Sequence, residues 1–381
     1  MSSICTRCAL RLQRAAPPPS TPSTTRFLST TPIRPKAVPT FQPTSSPELD
    51  TILSTFRSKH FIPRLLPNHD RNLILSLKTR KYLEENPQTV ELGDEAIDLQ
   101  WIDQRTEIPN RKKLLWEAIR LMREGEAGDW NNLPALLDGL GKVKKMPGER
   151  TLAKMVRIAS ERGRFGVALR CLHQARKTGM TLKKDEVLGA VIWALREMGR
   201  GGMVTDGEVE ESGSWRKVGL EKAIKDANEV AVLLEDQEHG TGSAVHANDP
   251  RRRPEVLSVF LELTAVYCYK YQDRKDVDGK VRAYVERLLS NIKGAEAPAT
   301  TEPASTGPQT EVLRGISIWH GLRLAQKILG DDMPQADLAR QVVAAWEEGL
   351  QTLASKIEAN GAREGSYAEL ALVAWRDCIR E

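Results

Sequence analysis

The chain has 381 residues, 40% hydrophobic and 28% charged, a soluble globular composition with length for one large or two modest domains. Its net charge of +5 comes from the first 47 residues, which hold six basic side chains (Arg7, Arg11, Arg14, Arg26, Arg34, Lys36) and no acid; the other 50 basic and 51 acidic residues nearly cancel. Affinity for a polyanion therefore has to come from local patches, and apolar runs no longer than "AVIWAL" fall short of the roughly 20 residues of a membrane span.

Residues 1–47, rich in Arg, Ser, Thr and Pro, have the composition of a mitochondrial transit peptide, which predicts a matrix location. "SSICTRCALRLQRA" would place Arg7, Arg11 and Arg14 on one side of a helix, and "RFLSTTP" resembles a processing site. A short helix is expected next, then a basic segment at 57–81 whose two prolines (Pro63, Pro67) predict an extended first half. Residues 88–103 alternate. Val90 and Leu92, then Ile97, Leu99 and Trp101, predict a β-hairpin turning at Gly93-Asp94.

From Asn110, a candidate N-cap, the chain reads as helical, with Leu114, Leu115, Ala118, Ile119 and Met122 as the first apolar stripe. Further helices are predicted at about 130–143, 149–162, 164–178, 184–198, 219–236, 255–271, 276–292, 311–329, 335–358 and 363–380. Gly-rich, acidic residues 199–218 and polar residues 237–254 read as an insertion and a linker. Residues 294–310 have the low complexity of a disordered loop. The fold class is mainly α: stacked helical hairpins, as a short α-solenoid or irregular bundle, with one small β-hairpin near residues 88–103. Four segments follow: 1–47, 48–200, 201–254 and 255–381.

Catalytic signatures are missing from the sequence. There is no phosphate-cradling P-loop, no HExxH and no G-x-S-x-G, and the six histidines are scattered. Cys5 and Cys8 form a CxxC without a second pair, while Cys171, Cys268 and Cys378 fall on apolar helix faces, as buried thiols do. The expectation is a non-enzyme with no cofactor, no metal and no small-molecule substrate. Carboxylates are expected on solvated helix faces.

The strongest signal is electrostatic. Between Lys142 and Lys184 thirteen cations face only Glu149 and Glu161, a charge of +11 on a near-neutral body. Such a patch repels itself, and a polyanion relieves the cost. Arg150, Lys154 and Arg157, spaced four and three, share one helix face, an arrangement suited to tracking phosphates. The candidate RNA-binding residues are Lys78, Arg80, Lys81, Arg111, Lys112, Lys113, Lys144, Lys145, Arg150, Lys154, Arg157, Arg164, Arg176 and Lys177.

Residues 150–184 resemble a pentatricopeptide repeat: Gly163-Arg164 closes the first helix, Ala168-Leu169 follows, and Gly179 with Met180 ends the second. The resemblance implies RNA binding, and it puts Ala153 and Lys183 where such repeats read bases. Neither discriminates a base edge, so base-by-base reading is not expected. More broadly, the order of leader, "LKTRKYLEENP", "TVELGDEAIDLQWID", "EIPNRKKLLWEAI" and helical pairs looks like a fungal mitochondrial ribosomal protein of the large subunit. That resemblance implies a structural subunit bound to ribosomal RNA and other mitochondrial ribosomal proteins. Two alternatives stand beside it: a pentatricopeptide-like factor in mitochondrial RNA processing or translational activation, and an assembly factor for a respiratory complex.

Overall fold

A computed structural model describes residues 37–201, 215–242, 246, 249–292, 307–364 and 366–380. The leader up to residue 36, most of the insertion at 199–218 and most of the low-complexity loop at 294–310 lie outside the described residues. Residues 37–46, inside the stretch read as leader, have no regular secondary structure but are tied to the fold. Val38 is buried. Gln42 and Asn132 exchange backbone-to-amide hydrogen bonds (2.7 and 3.0 Å). The buried Asp129 carboxylate accepts from the Ser45 amide (2.8 Å) and hydroxyl (2.6 Å).

Helix α1 (Pro47–Thr55) starts with Pro47 at its first position, where the missing N–H costs nothing, and Ser46 as cap. The chain then departs from the sequence expectation. Residues 56–61 continue α1 as a π-helical turn, and α2 (Ile62–Leu65) and α3 (Asn68–Leu75) follow. Neither proline forces extension: Pro63 sits in the first turn of α2 and Pro67 immediately before α3, both positions that tolerate it. Helix α4 (Arg80–Glu85) leads into the predicted hairpin.

That hairpin pairs β1 (Thr89–Leu92) with β2 (Glu95–Asp98), antiparallel, in the register Val90 opposite Ile97 and Leu92 opposite Glu95. Gly93 turns at φ +73°, and a Cβ there would meet the Ala37 backbone at 2.9 Å, so both conformation and space require glycine. Leu99 extends the pairing through its amide to Gln88 (2.8 Å), but Trp101 lies beyond the strand, its indole N–H donating to the Ser76 carbonyl (2.9 Å). A two-stranded ribbon is marginal alone; here Leu92 and Leu99 bury themselves in the helical core.

The rest is helical: α5 (Arg111–Glu124), α6 (Leu133–Lys142), α7 (Glu149–Glu161), α8 (Phe165–His173), α9 (Ala175–Thr178), α10 (Asp185–Arg200), α11 (Lys217–Leu233), α12 (Pro254–Tyr271), α13 (Lys280–Asn291), α14 (Pro308–Leu329), α15 (Ala336–Ala359) and α16 (Tyr367–Arg380). The helix expected over 164–178 is broken at Gln174. The Thr178 hydroxyl donates to the carbonyls of Cys171 (2.6 Å) and Gln174 (3.1 Å), competing with the helical ladder. Gly163 (φ +69°) and Gly179 (φ +65°) close the two helices of the α7–α8/α9 hairpin. Helix α10 packs on α7, α11 and α12, and α14 packs on α12, α15 and α16. Helices from the segments read as separate thus share one core, within a single compact unit from Lys36 to Glu381. No described helix is long and apolar enough to cross a membrane.

Candidate nucleic-acid interface

Three basic patches emerge, each fixed by local sequence. The first is the turn into α4. Lys78, Arg80 and Lys81 are exposed beside the exposed Leu77 and Tyr82. Arg80 is held within the chain, paired with Glu84 (2.8 Å) and stacked over Trp101 (4.7 Å). Lys78 and Lys81 have no side-chain partner among the described residues.

The second patch is the first turn of α5. The Asn110 side chain accepts from the amides of Lys112 (3.0 Å) and Lys113 (3.3 Å), confirming the cap. Arg111, Lys112 and Lys113 therefore stand where the helix dipole is already positive, an unfavourable place for cations without an anion. Arg111 also acts on buried His60, whose pKa is lowered first by burial and then by Arg111 and Arg64.

The third patch is the α7–α9 hairpin and its flanking turns. Lys144, in a left-handed conformation (φ 55°), and Lys145 project from the turn before α7. Lys177 ends α9, and Lys183 lies in the turn before α10. These four lysines are exposed and have no ion pair or side-chain hydrogen bond among the described residues. The arginines behave differently. Arg170 donates to Asn131 (2.7 Å) and Arg176 pairs with Glu238, while Arg164 is half-buried.

The α7 trio is not the single open row that its spacing suggests. Arg150 leans toward Glu186 (3.7 Å). Lys154 lies over the Trp116 ring of α5 (4.6 Å), and Arg157 over the Tyr367 ring at the start of α16 (5.1 Å). Helix α7 is a ridge between two grooves, with Lys154 in one and Arg157 in the other. At the would-be base-reading positions, Ala153 is buried and Lys183 is exposed. The hairpin geometry is present without side chains that could read base edges.

A buried charge cluster escapes the sequence reading. Glu262 of α12 is fully buried, not on a solvated face, and it accepts two hydrogen bonds from fully buried Arg196 of α10 (2.8 and 2.9 Å). His320 of α14 donates to it through Nδ1 (2.8 Å). Arg200 pairs with Asp377 of α16 (2.6 Å) and with Glu197 (2.6 Å). Burial alone would push the Glu262 carboxyl up, but Arg196 and His320 outweigh it and hold the group at about 2. Glu262, His320 and Cys378 have donor atoms within 4.8 Å of one another. Arg196, 3.1 Å from the Cys378 sulfur, already supplies the positive charge that this set calls for. A hint lies in the sequence, since Glu262 interrupts the apolar "VFLELTAV". Cys171, Cys268 and Cys378 are buried free thiols, as expected.

His239, in the segment read as a linker, is also structural. Its Nδ1 accepts from the Leu182 amide (3.2 Å) and its Nε2 faces the Leu172 carbonyl (3.1 Å). The proton must then sit on Nε2, so the ring is a neutral bridge between the hairpin and the polar segment.

Fold and surface together define a helical scaffold that presents lysines from its turns and, along the α7–α9 hairpin, holds Arg150, Arg157, Arg170 and Arg176 against partners within the chain. A family model described as Mitochondrial ribosomal protein mS27 matches residues 26–377, and the chain belongs to that family. A Neurospora crassa protein named small ribosomal subunit protein mS27 is 28% identical over 237 residues, 62% of this chain. The match spans about half (55%) of that relative's length. The family is one of ribosomal structural proteins and not of enzymes, and it places the chain in the mitochondrial matrix. Neither alternative, a free RNA-processing factor or a respiratory assembly factor, describes this family. The expectation of a large-subunit protein is overturned, because the relative is named for the small subunit. The physical reason is plain: basic turns on helical hairpins suit either subunit's RNA, and no motif in the sequence encodes the choice.

Proposed function

We propose that the chain is a structural constituent of the small subunit of the mitochondrial ribosome, holding ribosomal RNA by its phosphates and packing against neighbouring ribosomal proteins. The observation that carries the RNA reading is the set of lysines without partners among the described residues: Lys112, Lys113, Lys144, Lys145, Lys177 and Lys183. They stand at helix ends and turns, on a body whose charge is otherwise balanced. Phosphates would relieve their mutual repulsion and release counterions. The remaining candidate residues join them in this reading, with Arg80, Arg150, Lys154, Arg157, Arg164 and Arg176 as supports that also hold the fold.

The test is a salt-washed mitoribosome gradient with crosslinking. The chain should sediment with the small subunit and crosslink to its RNA. Replacing Lys144, Lys145, Lys177 and Lys183 with Ala should lower the slope of log K against log salt by roughly one for each phosphate no longer held, for any RNA sequence. Sedimentation at the top of the gradient would sink the proposal.

A further inference from the structure

Helices α5 and α7 enclose a groove of about 250 Å³. Its floor is Trp116, Ile119 and Ile158, and its lips carry Arg120, Arg123, Lys154 and Arg162 against one carboxylate, Glu124. That carboxylate is already matched. Arg120 donates to Glu124 (2.5 Å) and to Glu117 (2.6 Å) at once. Arg123 stands 4.0 Å from Glu161. Arg162 is exposed and has no partner among the described residues. Lys154 has only the indole face of Trp116 beneath it (4.6 Å). Two cations without an anion therefore flank a half-buried aromatic ring at the bottom of a cleft.

We propose that this groove takes one unpaired RNA nucleotide, its base against Trp116 and its phosphate between Lys154 and Arg162. The volume lies below the roughly 300–1,000 Å³ of small-molecule sites, on the scale of a single base. The Lys154 ammonium, with three donors on a flexible stem, swings from the indole to a phosphate oxygen and leaves that ring face to the base. A base in a duplex has both faces stacked; only a splayed-out base offers one to a side chain. Stacking on an aromatic is indifferent to base identity, consistent with a hairpin that lacks base-reading residues. The inference rests on the reading of the chain as RNA-bound, and it adds a bound nucleotide where that reading has only phosphates.

Ultraviolet crosslinking of intact small subunits, with the adducts mapped by mass spectrometry, tests it. A nucleotide adduct is expected on the peptide that carries Trp116 or on the Lys154–Arg162 stretch. Adducts at Lys144, Lys145 or Lys177 with none in the groove would overturn the inference and leave the proposed function standing; no RNA adduct on the chain would overturn both. With the full-length recombinant chain, Trp116→Leu should weaken binding to a mixed-sequence single strand on the order of tenfold and leave binding to a duplex unchanged. Arg162→Ala, at an exposed position, serves where Trp116→Leu fails to fold. It should lower the single-strand salt slope by roughly one, and an unchanged slope counts against the groove.

Discussion

Replacing Glu262 by Gln is the most direct probe of what holds α10, α12 and α14 together. The substitution keeps the shape and removes one charge, leaving Arg196 wholly buried with only Glu197, 3.3 Å away, as a nearby carboxylate. It also turns one of the two acceptors facing the guanidinium into a donor. Breaking a buried pair from one side costs about 3–5 kcal/mol. The titration of the carboxyl gives an independent figure. Its pKa lies near 2 in the folded chain against an ordinary 4.5, so the folded state binds this proton less tightly than the unfolded one. The stabilisation is then complete above pH 4.5 and is lost as pH falls toward 2, and at about 1.36 kcal/mol for each tenfold in proton affinity the pair contributes about 3 kcal/mol. Urea unfolding of both proteins at pH 7 and pH 3 reads it out. Glu262→Gln should lose about 3 kcal/mol at pH 7 and distinctly less at pH 3. Arg196→Leu with Glu262→Leu should recover most of the loss, since an apolar pair removes both desolvation costs. A loss below about 1 kcal/mol, or one equal at the two pH values, would refute the reasoning.

Asp129→Ala removes the acceptor for the Ser45 amide, the Ser45 hydroxyl and the Glu126 amide (3.0 Å); a loss of about 1–3 kcal/mol and faster proteolysis within residues 37–46 are expected. Gly139→Ala would drive a Cβ into the Phe61 ring, so overpacking of about 1–3 kcal/mol should appear in thermal melts. Gly179→Ala combines a left-handed φ of +65° with a clash against Met146 at 2.8 Å and should destabilise the α7–α9 hairpin by at least about 1 kcal/mol. For His60, whose pKa is lowered, the unfolded state takes up the proton more readily. Its contribution is therefore present above pH 6.5 and declines as pH falls below it, and His60→Leu should flatten that part of the stability curve.

What the sequence makes legible is what neighbours in the chain determine. Of the predicted stripe, Leu115, Ala118, Ile119 and Met122 are buried and Leu114 is half-buried, and the helices close at Gly163 and Gly179 as read. The hairpin turn falls at Gly93 because no other residue type fits it. Errors come where a second, non-local rule competes. Pro63 and Pro67 read as breakers, yet the proximity of helix starts makes them permissible. The Thr178 hydroxyl breaks a helix that periodicity alone would continue. The Arg196–Glu262 pair joins positions 66 residues apart, and no local pattern pairs them.

Charge shows the same division most clearly. The run from Lys142 to Lys184 reads as one block of +11, but the fold sorts it by side-chain chemistry and place. The planar fork of arginine suits carboxylates, amides and ring faces, and Arg150, Arg157, Arg170 and Arg176 all lie against such partners within the chain. Lys144, Lys145, Lys177 and Lys183 stand at turns and helix ends with no partner among the described residues. A solvated ammonium on a flexible stem costs little while it waits and adapts to a phosphate wherever one arrives. Two lysines at helix ends are exceptions: Lys142, the last residue of α6, pairs with Asp138 (2.8 Å) and donates to the Ala37 carbonyl (2.8 Å), and Lys184 donates to the Gly179 carbonyl (2.6 Å). Arg162 breaks the division, an arginine with no partner among the described residues, and it does so at the lip of the α5–α7 groove. An unmatched cation carries most information about an absent ligand where, as for the other arginines of this run, its neighbours in sequence are matched.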